Sequence, residues 1–267
     1  MIQDITSDPE RITPWQRLGD IFVKRDDLFG VAGVRGGKVR TCLALSRPGR
    51  KEGLFYVGGS GFTTAGSRSS PQANIVAHIA QHYHLPCRVH TPTGELFPEL
   101  VSAQEAGATI VQHPAGYNNV IIARAKMDAS LHSWVYIPFG MECQEAVQQT
   151  SGQVRGMPTE VKRLVVPVGS GMSLSGILHG LERFKRRVPV VGVMVGADPT
   201  KRLNAYAPLQ WRSMVSLVPS GSDYHQQGKT GVAFRGITID PGYEAKCVPF
   251  LQPGDAFWIV GIRGTCT

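Results

Sequence analysis

Short apolar runs alternate along the chain with longer stretches in which apolar positions recur every three or four residues. This alternation is typical of βαβ units around a mainly parallel sheet. After Pro71, for example, the apolar residues at 75, 76, 79 and 80 share one face of a helix, and proline is favoured in a first turn. The predicted strands are 21–23, 54–57, 87–90, 109–112, 135–137, 164–168, 190–195 and 256–262, and the predicted helices are 38–45, one from Pro71, 95–106, 117–130, 142–154 and one ending near 186. The sequence therefore predicts an α/β protein with two lobes, the smaller inserted into the larger.

Two stretches depart from this alternation. Residues 58–70 are rich in Gly, Ser and Thr, and we expect them to form a loop after the strand at 54–57. Residues 198–235 follow neither the helical nor the strand period, so the sequence predicts irregular structure there.

Composition narrows the class of protein. A chain of 267 residues can bury a substantial core without disulfides or metals. Its five cysteines are an odd number, widely spaced and without a C-x-x-C pair, which argues against a disulfide framework and a metal site and for reduced cytoplasmic thiols. Residues 1–15 lack the apolar segment of a signal peptide, and no run approaches about 18 apolar residues. We therefore expect a soluble cytoplasmic protein with no membrane contact.

The net charge of +8 indicates that an anionic macromolecule is a possible partner. Such an excess of positive charge raises the local concentration of polyanions. Part of it is concentrated in Arg183, Lys185, Arg186 and Arg187. These side chains form either a solvated helix face or a contact for an anionic macromolecule.

The strongest chemical signal is the loop at residues 169–176 (GSGMSLSG), directly after the strand predicted at 164–168. A buried strand that leads through such a loop into a helix presents backbone N–H groups and the helix dipole to a phosphate. The loop lacks the P-loop pattern, and its glycines do not fit the dinucleotide fingerprint. It is either a phosphate site of another kind or a tight turn.

A second candidate feature is Lys38, which follows Gly36 and Gly37 at the start of a predicted helix. Glycines allow close approach of backbone to a flat ligand. A helix N-terminus also favours the neutral amine that an imine-forming lysine requires. The alternative is a surface lysine in a flexible loop.

Together these segments resemble a known family. Residues 23–40 (VKRDDLFGVAGVRGGKVR) are similar to the cofactor-lysine segment of fold-type II, tryptophan synthase β-like, pyridoxal-phosphate enzymes, and more narrowly to 1-aminocyclopropane-1-carboxylate deaminases and D-cysteine desulfhydrases. Further segments match family motifs in family order: 69–72 (SSPQ), 136–140 (YIPFG), 166–176 (VPVGSGMSLSG) and 240–246 (DPGYEAK).

The resemblance implies an architecture. We expect two three-layer, parallel-sheet α/β lobes, with a large cofactor-binding domain formed by residues 1–45 and 138–267 and a small inserted domain at 46–137. It also implies a homodimer.

The resemblance further implies a role for each candidate residue. Lys38 would hold pyridoxal 5'-phosphate as a Schiff base and move protons at the substrate carbon. Tyr243 would be an acid/base near the ring, with core packing as the alternative, and Glu244 beside the pyridine nitrogen would favour the protonated ring. The cofactor phosphate would be held by Gly169, Ser170, Gly171, Met172 and Ser173, and the substrate would be bound by Ser69, Ser70 and Gln72, with Ser70 on its carboxylate.

Two positions depart from the family pattern. Gly37 and Pro71 both stand where the family has asparagine, and Pro71 removes a side chain expected to touch the ring hydroxyl. The cofactor prediction is unaffected, but deaminase activity does not follow from the resemblance.

The reaction remains open at this stage. The chain is similar to short, basic phage enzymes that hypermodify thymine in DNA, which implies decarboxylation or rearrangement of an amino acid attached to the base, in the host cytoplasm. The four basic residues at 183–187 would then contact the phosphate backbone, and a flipped or single-stranded base would reach the cofactor. The alternatives are a deaminase or desulfhydrase of free amino acids and a non-catalytic nucleic-acid-binding protein on the same scaffold. A β-replacement synthase is disfavoured by the pair Tyr243 and Glu244.

Overall fold

The computed structural model describes residues 8–46, 60–114, 116–222 and 233–261. The described residues divide into two compact units. The first contains those within 8–9 and 30–143, and the second contains those within 10–29 and 144–261. The inserted domain predicted at 46–137 lies wholly within the first unit. The first unit is longer than the predicted domain at both ends, and it includes the helix that carries Lys38.

The strands are β1 (Trp15–Leu18), β2 (Ile21–Arg25), β3 (Gly30–Val31), β4 (Val34–Arg35), β5 (Phe62–Ala65), β6 (Cys87–Pro92), β7 (Ala108–His113), β8 (Val135–Ile137), β9 (Arg163–Val168), β10 (Val190–Met194), β11 (Val215–Pro219), β12 (Ala233–Phe234), β13 (Ile237–Thr238) and β14 (Asp255–Ile259). The α-helices are α1 (Gly37–Ser46), α2 (Pro71–His82), α3 (Pro98–Glu105), α4 (Asn118–His132), α5 (Gln144–Gly152), α6 (Met172–Arg183), α7 (Thr200–Tyr206) and α8 (Trp211–Met214). Short 3-10 helices lie at Asp26–Leu28, Phe139–Met141 and Glu244–Phe250.

The second unit is built on a sheet in the order β1-β2-β14-β9-β10-β11. Only β1 is antiparallel to its neighbour. Leu164 and Val166 belong to one buried core cluster, whereas Val165 and Phe257 belong to another. The sheet therefore buries both faces, which explains why its central strands are continuously apolar.

On one side of this sheet, α6 lies unusually close to α5. A Cβ added at Gly176 would come within 2.9 Å of the Val147 carbonyl oxygen, and one at Gly180 within 2.6 Å of the Ser151 carbonyl oxygen. The two helices can approach this closely only because neither position carries a side chain.

The first unit contains a parallel sheet in the order β7-β6-β5-β8. Its strand β5 corrects the prediction that residues 58–70 form a loop. All four residues of Phe62–Ala65 are buried in the centre of the sheet, where β-branched Thr63 and Thr64 fit well. The strand predicted at 54–57 lies outside the described residues.

Other predictions hold with shifted ends. The helix expected to reach 186 ends at Arg183, because Phe184 leaves helical geometry and Lys185 has a φ of +53°. Residues 198–235 were wrongly predicted to be irregular throughout: α7, α8 and the parallel strand β11 lie within them.

A chain of side-chain hydrogen bonds connects β6, β7 and α4 in the first unit. His90 Nε2 lies 2.9 Å from Asp128 Oδ2, and His90 Nδ1 lies 2.8 Å from His113 Nε2. An Arg124 N–H group lies 2.9 Å from His113 Nδ1, and Arg88 donates to the same Asp128 oxygen at 2.6 Å. Arginine can only donate, so His113 Nδ1 accepts and every later bond has a fixed direction when both rings are neutral.

Two further observations concern the class of protein. Among the described residues, every helix is too short or too polar to span a bilayer. Cys42, Cys87, Cys143 and Cys247 are free thiols, whereas Cys266 lies outside the described part of the chain.

Candidate active site

The predicted phosphate loop connects β9 to α6 in the second unit. Gly171 precedes the helix with a φ of +94°, a conformation that favours glycine. The amide of Ser175 makes a helical hydrogen bond of 2.8 Å to the Gly171 carbonyl. The amides of residues 171–174 come before this bond and have no acceptor within the helix. With the helix dipole, they form a site suited to an anion.

The absence of side chains at three glycines lets the backbone segments converge here. A Cβ at Gly171 would lie 3.1 Å from Pro199 Cβ, and one at Gly196 would lie 3.3 Å from the Cα of Gly169. A Cβ at Gly169 would come within 2.8 Å of the Tyr243 hydroxyl. The loop thus offers bare backbone and unused donors, and its residues fit a phosphate group.

Tyr243 contacts this loop directly. Its hydroxyl accepts a hydrogen bond of 2.9 Å from the Gly169 amide. Of the five residues predicted to hold the phosphate, Gly169 is therefore the one whose N–H is already directed to a side chain.

Glu244 is completely buried next to Tyr243. Its Oε2 accepts a hydrogen bond of 3.1 Å from the Asp240 amide, and its Oε1 accepts one of 2.9 Å from the Gly261 amide. Burial, with the nearby Asp240 carboxylate, raises the pKa of Glu244 to about 7. The carboxyl group is therefore fixed in position and can exchange a proton near neutral pH.

A cavity of about 770 Å³ opens at the carboxyl ends of β10 and β11. Gly196, which packs on the phosphate loop, lines it together with polar side chains. The polar lining consists of Asp198, Thr200, Ser220 and Ser222. In open α/β sheets this edge is where ligands bind.

In the first unit, Lys38 is the second residue of α1 and is half-buried. Gly36, just before the helix, has a φ of +103°. Its carbonyl accepts a hydrogen bond of 3.0 Å from the Val39 amide, which closes the turn that carries Lys38. The conformation at Gly36 strongly favours glycine, so the first glycine of the pattern Gly-Gly-Lys has a clear local cause.

The predicted substrate residues lie at the start of α2 in the same unit. Ser70 caps the helix by accepting a hydrogen bond of 3.3 Å from the Gln72 amide, and Ser69 precedes it half-buried. The buried Gln72 side chain donates to Thr64 Oγ1 at 2.7 Å and to the Pro138 carbonyl at 2.8 Å. Its Oε1 is buried and has no hydrogen-bond partner among the residues that the structure describes.

The candidate residues thus form two groups, one in each unit. The phosphate loop, Tyr243 and Glu244 are together in the second unit, whereas Lys38 and the residues at 69–72 begin two packed helices of the first. Sequence reasoning missed Gly196. Its position directly after a predicted parallel strand could have identified it.

Comparison with known proteins finds a matching family and several relatives. The pyridoxal-phosphate dependent enzyme family matches residues 7–226, well over half of the chain. A Thermotoga maritima protein with the provisional name 1-aminocyclopropane-1-carboxylate deaminase is 26% identical over 91% of this chain and 88% of its own. The D-cysteine desulfhydrase of Klebsiella pneumoniae is 24% identical over 88% of this chain and 81% of its own.

Solved structures confirm the predicted fold class. The crystal structure of a homologue of 1-aminocyclopropane-1-carboxylate deaminase superimposes with a TM-score of 0.76 at 20% identity, covering 96% of this chain and 91% of its own. Both lobes of the predicted α/β type have the parallel sheets of this fold. The chain therefore belongs to the pyridoxal-phosphate-dependent enzymes of fold type II and uses pyridoxal phosphate as its cofactor.

Proposed function

We propose that this enzyme is a lyase of the deaminase or desulfhydrase type, acting on a small free amino acid or a closely related amine. The observation that carries this proposal is the anion site formed by the amides of residues 171–174, with Glu244 fixed in the same unit. The names of the relatives from Thermotoga maritima and Klebsiella pneumoniae support the substrate class.

Each group of residues has a proposed task. Bound pyridoxal phosphate supplies an electron sink that weakens the bonds at the carbon bearing the substrate amine. The amides of residues 171–174 would bind the phosphate, and Glu244 would lie near the ring nitrogen. Lys38 would hold the cofactor covalently and would move the proton at the substrate carbon. Ser70 would donate to the substrate carboxylate, whereas the Oε1 of Gln72 can only accept and would face an N–H or O–H group of the substrate.

Pro71 is the main reason for leaving the cleaved bond open. It occupies the first position of α2, where it has neither an amide hydrogen nor a polar side chain. The contact with the ring hydroxyl that an asparagine would make there is therefore missing. The homodimer and the predicted domain boundaries also remain predictions.

A reaction on thymine in phage DNA is the second candidate, favoured by the exposed basic side chains Arg183, Lys185 and Arg187. Arg186 is different, because its guanidinium donates to carbonyls of residues 157–158 at 3.0 and 2.6 Å and so has a structural role. The basic residues follow the C-terminal end of α6, whereas the phosphate loop is at its N-terminus. Twelve residues at 1.5 Å each separate the two by about 18 Å. DNA held by these side chains would need to deliver a base over that distance, so we favour free amino acids.

The cofactor attachment is tested by reducing the holoenzyme with borohydride and locating the labelled peptide by mass spectrometry. We expect the label on Lys38 and expect Lys38→Ala to lose the visible absorption band of the lysine-bound cofactor. Lys201→Ala, an exposed position on α7, is the matched control. A label on another lysine would contradict the assignment.

The substrate class is tested by product analysis. The holoenzyme is offered free amino acids and, separately, DNA that carries amino-modified thymine. A 2-oxo acid released from the free amino acids supports the lyase. Turnover of DNA alone, weakened by added salt, would favour the second candidate.

A further inference from the structure

The contact between Tyr243 and Gly169 joins positions that are 74 residues apart in the sequence. The tyrosine ring packs against the core clusters on both sides of the six-stranded sheet. Gly196 also approaches this residue closely, because a Cβ added to it would lie 3.3 Å from the Gly169 Cα. The first residue of the phosphate loop thus contacts two other segments of the chain.

We propose that Tyr243 is a positioning residue for the phosphate loop, and that the cofactor phosphate is received by the amides of residues 171–174 without Gly169. The inference rests on the proposed cofactor site. It revises the expectations from the sequence, because it leaves Gly169 and Ser170 out of the phosphate contacts, adds Leu174 to them and gives Tyr243 a task other than acid/base chemistry.

The segment that carries Tyr243 is itself fixed by hydrogen bonds. Its backbone amide donates to the Asp240 carbonyl at 3.3 Å, which closes the turn before it. The next residue, Glu244, ties the same turn to Gly261 through its two carboxyl oxygens. One short segment therefore fixes the start of the phosphate loop through residue 243 and holds the buried carboxyl group through residue 244.

The geometry also explains why glycine is needed at the first loop position. A Cβ at Gly169 would lie 2.8 Å from the Tyr243 hydroxyl and 3.1 Å from its Cε2. A side chain there would push the ring away and break the hydrogen bond that the ring accepts. Tyrosine at 243 and glycine at 169 are thus required together.

The test is Tyr243→Phe, which keeps the ring and removes the acceptor. We expect the dissociation constant of pyridoxal phosphate, measured by fluorescence titration, to rise about tenfold, which is the effect of one lost hydrogen bond. The phosphorus resonance of the bound cofactor should broaden or shift, while the pH profile of turnover keeps its shape. Tyr206→Phe, on α7 of the same unit, is the control.

Gly169→Ala is a second variant in case the first folds poorly. It should weaken cofactor binding with Tyr243 intact, and the double variant should be little worse than either single one. Unchanged cofactor affinity and phosphorus resonance in Tyr243→Phe, with turnover lost, would overturn the inference in favour of an acid/base role. If the unsubstituted protein fails to bind pyridoxal phosphate, the proposed cofactor site fails instead, and the two failures are distinguishable.

Discussion

The hydrogen-bonded histidines of the first unit should make its stability fall as the pH is lowered below neutral. Burial, as the largest cause, lowers the pKa of both His90 and His113 below the ordinary value of 6.5. Arg88 and Arg124 act in the same direction, because a proton added to either ring would be a further positive charge beside them. Asp128 and the exposed His132, which lies 3.3 Å from it, complete the charged groups of this cluster.

The sign follows from proton uptake. As the pH falls through 6.5, the unfolded chain takes up protons on both rings before the folded chain does, so the free energy of unfolding decreases. One ring that stays neutral in the folded state contributes about 1.4 kcal/mol between about pH 7.5 and 5.5. This value is the upper limit for each ring, and His113 contributes less than His90 because it lies nearer to solvent, which screens its charge. The lowered pKa of Asp128 has no effect in this window, because its ordinary value is 3.8.

The measurement is urea unfolding over this pH range, followed by circular dichroism. His113→Gln removes one titrating ring and should reduce the pH-dependent loss by less than half, because the more deeply buried His90 contributes more. His82→Gln, an exposed position at the end of α2, is the control and should behave as the unsubstituted protein. Nitrogen NMR of the imidazoles should show the proton on Nε2 in both rings at pH 7.5. Equal pH dependence in His113→Gln and the unsubstituted protein, or the proton on Nδ1 of either ring, would refute the reasoning.

Three further predictions concern the second unit. Gly180→Ala should lower the free energy of unfolding by about 1–3 kcal/mol in urea titrations, because its Cβ would lie 2.4 Å from Val154 Cγ2, and no loss would contradict the close packing. Glu244 has a raised pKa, so the folded state binds its proton more tightly than the unfolded state does. This proton binding stabilises the fold, and the stabilisation is lost as the pH rises from about 4.5 to 7. The stability deficit of Glu244→Gln should therefore shrink between these values, and a constant deficit would argue against the raised pKa. Arg186→Gln should cost about 1–2 kcal/mol through its two lost carbonyl contacts, whereas Arg187→Gln should cost almost nothing, and equal losses would disprove the structural role of the first.

The parts of the fold that sequence could predict are those whose causes are local. Strand β9, the phosphate loop and α6 follow one another directly. The apolar run, the glycines and the helical period that predict them are therefore adjacent in the sequence. Strand β5 could not be identified in this way, because Phe-Thr-Thr-Ala lies within a stretch of Gly, Ser and Thr. Only its burial between β6 and β8 makes it a strand. Tertiary packing overrides local composition there.

The candidate site shows the same division. Lys38 and Ser70 were predicted from short motifs, and the structure explains both motifs by a glycine turn and a helix cap. The bond between Tyr243 and Gly169 and the packing of Gly196 depend on which strands are neighbours in the sheet. A single sequence contains no signal for such distant pairings, so these two contacts could be inferred only from the coordinates, even though the position of Gly196 after a predicted strand marks it as a candidate.

The contact of α5 with α6 has a consequence for how this enzyme can diverge. Backbone meets backbone at Gly176 and Gly180, so almost any larger residue at either position would slide α6 outward. The phosphate-binding amides form the first turn of that helix and would move with it. The helix pair is therefore expected to be inherited without change as the enzyme diverges.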